Sequence, residues 1–243
     1  MRVLGVTDVG LHRRENQDTF AIAEECGRQI AVVCDGLGGE RGGGIASSLA
    51  VETYLSQLKA LLRPDMTIEQ LRELSSFCVA KANAAVHQYA LENPNCKGMG
   101  TTLVSVITDG KIALVSNIGD SRAYLVHGGK LRRVTHDHSV VERLVEAGDI
   151  TAEEARTHPN RNLITRALGP ELNAPCDTYD ISLQKGDRLL LCTDGLIVTA
   201  TDEQIKRTIC AHDDIAAALT ALIALAKQYG APDNVTAVLL HNL

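Results

Sequence analysis

Four aspartates stand where apolar runs stop and the backbone is free to bend. They are Asp35 in Ala31-Val32-Val33-Cys34-Asp35-Gly36, Asp120 in Asn117-Ile118-Gly119-Asp120, Asp194 in Leu190-Leu191-Cys192-Thr193-Asp194-Gly195, and Asp233 in Pro232-Asp233-Asn234. Apolar runs of this length read as buried strands, so the carboxylates should emerge together at one edge of a sheet. Carboxylates crowded into a partly buried site repel one another and raise each other's pKa unless cations hold them ionised. An all-oxygen set of this kind suits hard divalent ions such as Mg²⁺ or Mn²⁺.

Composition narrows the classes. The 243 residues are 45% hydrophobic, enough for one sizeable core, and the net charge of -6 argues against a nucleic-acid backbone or an anionic membrane as partner. No apolar run approaches a membrane span, and Met1-Arg2-Val3-Leu4-Gly5 lacks a signal-peptide core. The seven cysteines are scattered without a C-x-x-C pair, as expected for reduced thiols in a cytoplasmic protein. Tryptophan is absent and aromatics make up 3%, which disfavours stacking platforms for bases or sugars.

The periodicity is that of one domain, residues 1–243, without repeats or a linker. Strands are expected over 2–7, 19–23 and 29–34. An amphipathic helix begins near Ile45, led in by Gly42, Gly43 and Gly44, and its N-terminus would favour an anion. A second helix opens on the capping box Thr67-Ile68-Glu69-Gln70. Hairpins follow, with turns at Asp109-Gly110 and Gly128-Gly129. A helical, polar insert runs from Ser139 to about Leu168. Strands over 178–183 and 188–192, helices from about Asp202 and Asp214, and a last strand over 235–240 complete the chain. Strands in hairpin order with helices in paired blocks imply an α+β layered architecture.

The Asp-Gly pairs differ among themselves. Asp109-Gly110 lies midway between two strand-like segments, so a surface turn explains it. Asp35-Gly36 is followed by Leu37-Gly38-Gly39-Glu40-Arg41-Gly42-Gly43-Gly44 and no partner strand, so a hairpin explains it poorly. There the glycine would let the backbone turn its own carbonyl toward a metal. Taken singly, each aspartate suits a cap or turn; taken together at sheet edges, they favour a shared metal site.

The chain resembles a bacterial member of the metal-dependent protein serine/threonine phosphatases of the PPM (PP2C) type. The matching segments are Arg13-Arg14-Glu15-Asn16-Gln17-Asp18, Val33-Cys34-Asp35-Gly36-Leu37-Gly38-Gly39 and Gly98-Met99-Gly100-Thr101-Thr102. They continue with Asn117-Ile118-Gly119-Asp120-Ser121-Arg122-Ala123-Tyr124, Thr135-His136-Asp137-His138-Ser139 and Leu163-Ile164-Thr165-Arg166-Ala167-Leu168-Gly169. The last are the run from Gly186 to Leu196 and Asp233-Asn234-Val235-Thr236.

That resemblance implies a four-layer α-β-β-α sandwich, two central antiparallel sheets flanked by helix pairs, with the active site at one end. It implies that Asp35 bridges two Mn²⁺ or Mg²⁺ ions, the Gly36 carbonyl binds the second, and Asp194 and Asp233 complete the first. Asp18 would hold water behind them, Asp120 with Asp194 would hold a third, weaker ion, and Arg13 would bind the phosphate through its planar fork. The implied reaction is hydrolysis of phosphoserine and phosphothreonine in proteins by a metal-bridging hydroxide. The implied partners are phosphorylated proteins, including a bacterial Ser/Thr kinase, met by a monomer in the cytoplasm. Two departures stand out. Glu40 replaces a histidine found in many bacterial relatives and receives no catalytic role, and Gln17 replaces a glutamate found in some.

The segment 145–166 resembles the family's flap, a place for substrate selectivity. His136 and His138 alternate on an extended stretch and suit structural or flap-orienting roles better than zinc. A catalytically silent partner-binding module is the alternative, although no expected ligand is missing. A metal nuclease also fits clustered aspartates, but basic and aromatic stripes are lacking.

Overall fold

Strand-forming apolar segments and amphipathic helices alternate along the whole chain. In the computed structural model the described residues are 1–243, without the side chains of Glu40 and Arg41, so the expectation on Glu40 lies outside them. The chain opens with β1 (Arg2–Asp8), β2 (Asp18–Glu25) and β3 (Arg28–Leu37), then α1 (Gly39–Leu61) and α2 (Ile68–Glu92). A short turn of 3₁₀ helix leads to β4 (Gly100–Thr101), β5 (Leu103–Thr108), β6 (Ile112–Ile118), β7 (Arg122–His127) and β8 (Lys130–Arg133). Next come α3 (Val140–Ala147), α4 (Ala152–Thr157), β9 (Asp177–Ser182) and β10 (Arg188–Cys192). The chain closes with α5 (Asp194–Ile197), α6 (Asp202–Cys210), α7 (Ile215–Gln228) and β11 (Val235–His241).

Two antiparallel sheets result. One has the order β1-β11-β10-β7-β8; the other runs β2-β3-β5-β6-β9, with β4 paired to the end of β3. The continuous apolar run Ile30–Cys34 serves two cores at once, because side chains alternate across a strand. Ala31 and Val33 face the layer between the sheets with Val104, Val106, Leu189, Leu191 and Val238. Ile30, Val32 and Cys34 face outward onto Tyr54, Leu58, Leu74 and Cys78 of α1 and α2. On the opposite side Leu190 and Cys192 meet Ile205, Ile209, Leu219 and Leu222 of α6 and α7. Each such aliphatic side chain contributes about 1.5–3 kcal/mol on burial, so a charge at Val33 or Leu190 would break the stack. This is the PP2C-like α-β-β-α sandwich.

Local signals explain most element ends. The Thr67 hydroxyl accepts the Gln70 N–H while the Gln70 side chain takes the Thr67 N–H, as the capping box required, and Thr201 with Gln204 repeats the device at α6. The pair His127↔Lys130 leaves Gly128 and Gly129 as a two-residue turn. Three expectations need correction. Helix α1 begins at Gly39, not near Ile45, so the glycine triplet lies inside it. The reason is contact: a Cβ at Gly43 would stand 2.4 Å from the Gln17 Oε1 and 2.7 Å from the Gly36 carbonyl oxygen. The turn at Asp109-Gly110 is longer than two residues, since Thr108 pairs with Ala113 and Asp109 Oδ1 accepts the N–H groups of Lys111 and Ile112. The insert is helical only as far as Thr157, and Leu168 instead bridges to Thr101.

Candidate metal centre

The aspartates do converge, but from two sheets rather than along the edge of one. Asp35 ends the core stretch of β3 and lies directly opposite Asp18, the first residue of β2. Asp120 follows β6 in the same sheet. Asp194 opens α5 straight after β10, and Asp233 immediately precedes the approach to β11, both in the other sheet. Because the sheets stack, these strand ends close over one cleft of about 1210 Å³. Its lining includes Arg13, Asp35, Gly36, Asp120, Asp194 and Asp233, while Asp18 is buried behind them with 7% exposure.

Main-chain clamps set these positions. The Asp35 N–H donates to Thr102 Oγ1 at 3.0 Å, and the Asp35 carbonyl accepts the Thr102 N–H at 2.9 Å and the Thr101 hydroxyl at 2.8 Å. Gly36 allows α1 to approach; a Cβ there would lie 2.1 Å from the Gly43 carbonyl oxygen. Gly195 is pressed the same way, with 2.0 Å to the Asn234 carbonyl oxygen. Asn234 ties down the loop that carries Arg13: its Oδ1 accepts the Gln17 N–H, and its Nδ2 donates to the carbonyls of Val9 and Glu15. Asp18 is gripped across the sheets, its Oδ2 accepting from the hydroxyls of Thr193 at 2.9 Å and Thr236 at 2.7 Å. Thr193, Thr236 and Asn234 received no role from the sequence, although each stands within a quoted motif. Nothing in a linear pattern says which carboxylate a hydroxyl will meet.

Charge is the dominant property of the site. Burial, followed by the neighbouring Asp194 and Asp18, pushes Asp35 well above the usual carboxylate range. Burial and then Asp194 do the same to Asp120. Burial raises Asp18 to about 7 against the opposing hydrogen bonds of Thr236 and Thr193, and burial with Asp233 raises Asp194 to about 6. Two buried carboxylate oxygens, Asp18 Oδ1 and Asp194 Oδ1, have no hydrogen-bond partner among the described residues. Anionic oxygens held close, withdrawn from water and lacking donors are what hard divalent cations satisfy, so the donor set fits Mg²⁺ or Mn²⁺. One cation is already supplied by the chain, since Arg13 Nη2 donates to Asp233 Oδ2 at 2.7 Å, at the margin of the cleft.

The flap segment forms one wall, with Arg156, Thr157, Arg161, Asn162 and Ile164 facing the same cleft. Arg156 is anchored on the carbonyls of Ile197 and Ala200. Behind Asp120, Arg122 holds Asp137 through its Nε and Nη2 at 2.6–3.0 Å, and so offsets a further negative charge. Outside the cleft, His136, Glu142 and Glu146 also group their ligand atoms within 4.8 Å, but Glu142 is already taken by Arg133.

Comparison with known proteins shows which family the chain resembles. The profile of the family described as protein phosphatase 2C matches residues 12–239. The serine/threonine phosphatase stp of Listeria innocua is 34% identical over 235 residues, covering 96% of this chain and 93% of that protein. The crystal structure of the serine/threonine phosphatase Stp1 from Staphylococcus aureus superposes with a TM-score of 0.93 at 35% identity, covering 98% of this chain and 93% of the other. The catalytic domain of the serine threonine protein phosphatase PstP, crystallised with 2 manganese ions, gives 0.85 at 33% identity, covering 98% and 96%. The chain belongs to the protein phosphatase 2C family.

Proposed function

We propose that this protein is a metal-dependent protein serine/threonine phosphatase, built as a single catalytic domain over residues 1–243. The observation that carries the reading is the pair of orphaned buried oxygens on Asp18 and Asp194, set among Asp35, Asp120 and Asp233. Asp35, the Gly36 carbonyl, Asp194 and Asp233 hold two Mn²⁺ or Mg²⁺ ions, and Asp120 with Asp194 holds a third more weakly. When bound, such ions supply a nucleophile from water and offset the charge of the phosphoryl oxygens.

The chain's own groups do the rest. Thr193 and Thr236 fix one oxygen of Asp18 and leave the other without a donor among the described residues. Arg13, on a loop clamped by Asn234, presents its planar fork at the cleft margin and takes the phosphate oxygens. The flap wall of Arg156, Thr157 and Arg161 limits how a protein substrate enters. A silent module is the less favoured reading, because every expected ligand position carries its aspartate. The substrates are phosphorylated proteins, among them a bacterial Ser/Thr kinase whose action this enzyme opposes. The cleft needs no second copy, which supports action as a monomer. Seven free thiols, four of them buried, support a reducing cytoplasm. The net charge of -6 speaks against nucleic acid or an anionic membrane as partner.

Chelation with EDTA should abolish hydrolysis of a phosphothreonine peptide, and Mn²⁺ should restore it. Full turnover in chelator would overturn the metal reading.

A further inference from the structure

One histidine outside the ring of aspartates governs the turn that delivers Asp120. The side chain of His138 is only 6% exposed. Its main-chain N–H donates to the Gly119 carbonyl at 2.9 Å, and its ring Nδ1 accepts the Gly119 N–H at 3.1 Å. Gly119 is therefore held on both sides by a single residue, immediately before Asp120. It needs holding, because its φ is +105° and a Cβ there would lie 2.5 Å from the Thr102 methyl.

The same bonds fix the state of the ring. An amide N–H can only donate, so Nδ1 is bare and the neutral ring carries its proton on Nε2. That proton faces Asp177 Oδ2 at 3.2 Å. Arg166 Nη1 sits 3.2 Å from Nε2 and donates to Asp177 Oδ1 at 3.0 Å, so Asp177 accepts from both. Burial, joined by Arg166, lowers the imidazole pKa despite Asp177, which favours this neutral form. The His138 carbonyl in turn accepts the Thr165 N–H at 2.7 Å, and Ser139 both caps α3 and bridges to Ile164. The far end of the flap thus rests on the residue that holds the Asp120 turn, and α3 at its near end is capped by the residue that follows.

We infer that His138 is a positioning residue for the cation site at Asp120, acting through Gly119, with Asp177 keeping its ring in the Nε2–H form. This rests on Asp120 being a cation ligand, as proposed above. Outer partners that orient metal ligands are worth about 10–100-fold in affinity, and the loss here should fall on one class of site alone.

The test is Mn²⁺ binding to the full chain, read as free Mn²⁺ by electron paramagnetic resonance, with thermal melting alongside. Asp120→Asn should remove the weakest binding class. His138→Ala should weaken that class about tenfold while the tighter classes stay within about twofold. His138→Asn should recover most of the loss, since its Oδ1 can take the Gly119 N–H in place of Nδ1. If Asp120→Asn removes the weak class and His138→Ala leaves it unchanged, or weakens every class alike, the inference is overturned. If Asp120→Asn itself changes nothing, the ligand reading fails instead. Should His138→Ala not fold, ¹⁵N spectra of the wild-type ring decide: the Nε2–H tautomer is expected, and an Nδ1–H ring would end the inference.

Discussion

Asp35 lies in β3 and Asp109 in the turn just past the end of neighbouring β5; each stands before a glycine, and they lie at opposite ends of the sheet. Asp109 is satisfied within its own turn, where Oδ1 accepts the N–H groups of Lys111 at 2.8 Å and Ile112 at 3.0 Å. Burial would raise its pKa, but those two amides and Arg28 lower it below the ordinary value. Among the described residues Asp35 finds no such donors for its carboxylate, and it is pushed the other way by burial and by Asp194, Asp18, Asp120 and Asp233. The same dipeptide is a finished local structure at one end and an unfinished one at the other. Only the unfinished end has chemistry left to do.

The contrast breaks or holds most visibly in turnover. On the proposed role of Asp35, Asp35→Asn should lower hydrolysis of a phosphothreonine peptide by about a thousandfold or more, the several kcal/mol expected if a ligand shared by two ions is lost. Its melting temperature in chelator should not fall, because one repelling charge has gone. Asp109→Ala should do the reverse, leaving turnover within about twofold and costing about 1 kcal/mol of stability through its unpaired amides. Near-normal turnover in Asp35→Asn would show that the two aspartates had been told apart wrongly.

The glycines that follow sharpen the same comparison. Gly36→Ala forces a Cβ against the backbone of α1 at 2.1 Å, which must move the helix or the Asp35 strand end. We expect a loss of about 1–3 kcal/mol by overpacking, together with a marked fall in activity at limiting Mn²⁺. Gly110→Ala meets no backbone, with Asn242 Oδ1 at 3.2 Å and Met1 Cε at 3.9 Å, and suffers mainly from its φ of +87°, a strain of about 1 kcal/mol with activity preserved. Thermal melts and Mn²⁺-dependent kinetics of the two variants separate the cases; equal kinetic effects would contradict them.

The smallest effect is on pH dependence. Asp18 at about 7 and Asp194 at about 6 bind protons more tightly folded than unfolded, where both lie near 3.8. Their contribution is therefore fully present below the unfolded value and is lost as pH rises through 6 to 7. In chelator the melting temperature should decline from pH 5 to pH 8, at about 2–4 °C per kcal/mol for a chain of this size. Asp18→Asn should flatten the decline. A profile in chelator that is flat for the wild type would mean that the carboxylates do not repel as described.

The primary structure by itself determined most of the strands, the capping boxes at α2 and α6, the glycine turn between β7 and β8, and the four aspartates at the ends of apolar runs, whereas Asp18 entered through the family resemblance. These are legible because each depends on residues a few positions apart: a period of two, a hydroxyl three residues before an amide, a glycine where φ must be positive. Tertiary structure alone decided where α1 starts, since the glycines of its first turns pack where a Cβ at Gly43 would stand 2.4 Å from Gln17 Oε1 and one at Gly42 would stand 2.9 Å from Met99 Cβ. It also decided that Thr193 and Thr236 grip Asp18, and that His138 holds Gly119. The physical reason is distance along the chain: Asp18 and Thr236 are 218 residues apart. Charge repulsion and hydrogen bonding act through space, so their balance exists only once the two sheets have closed.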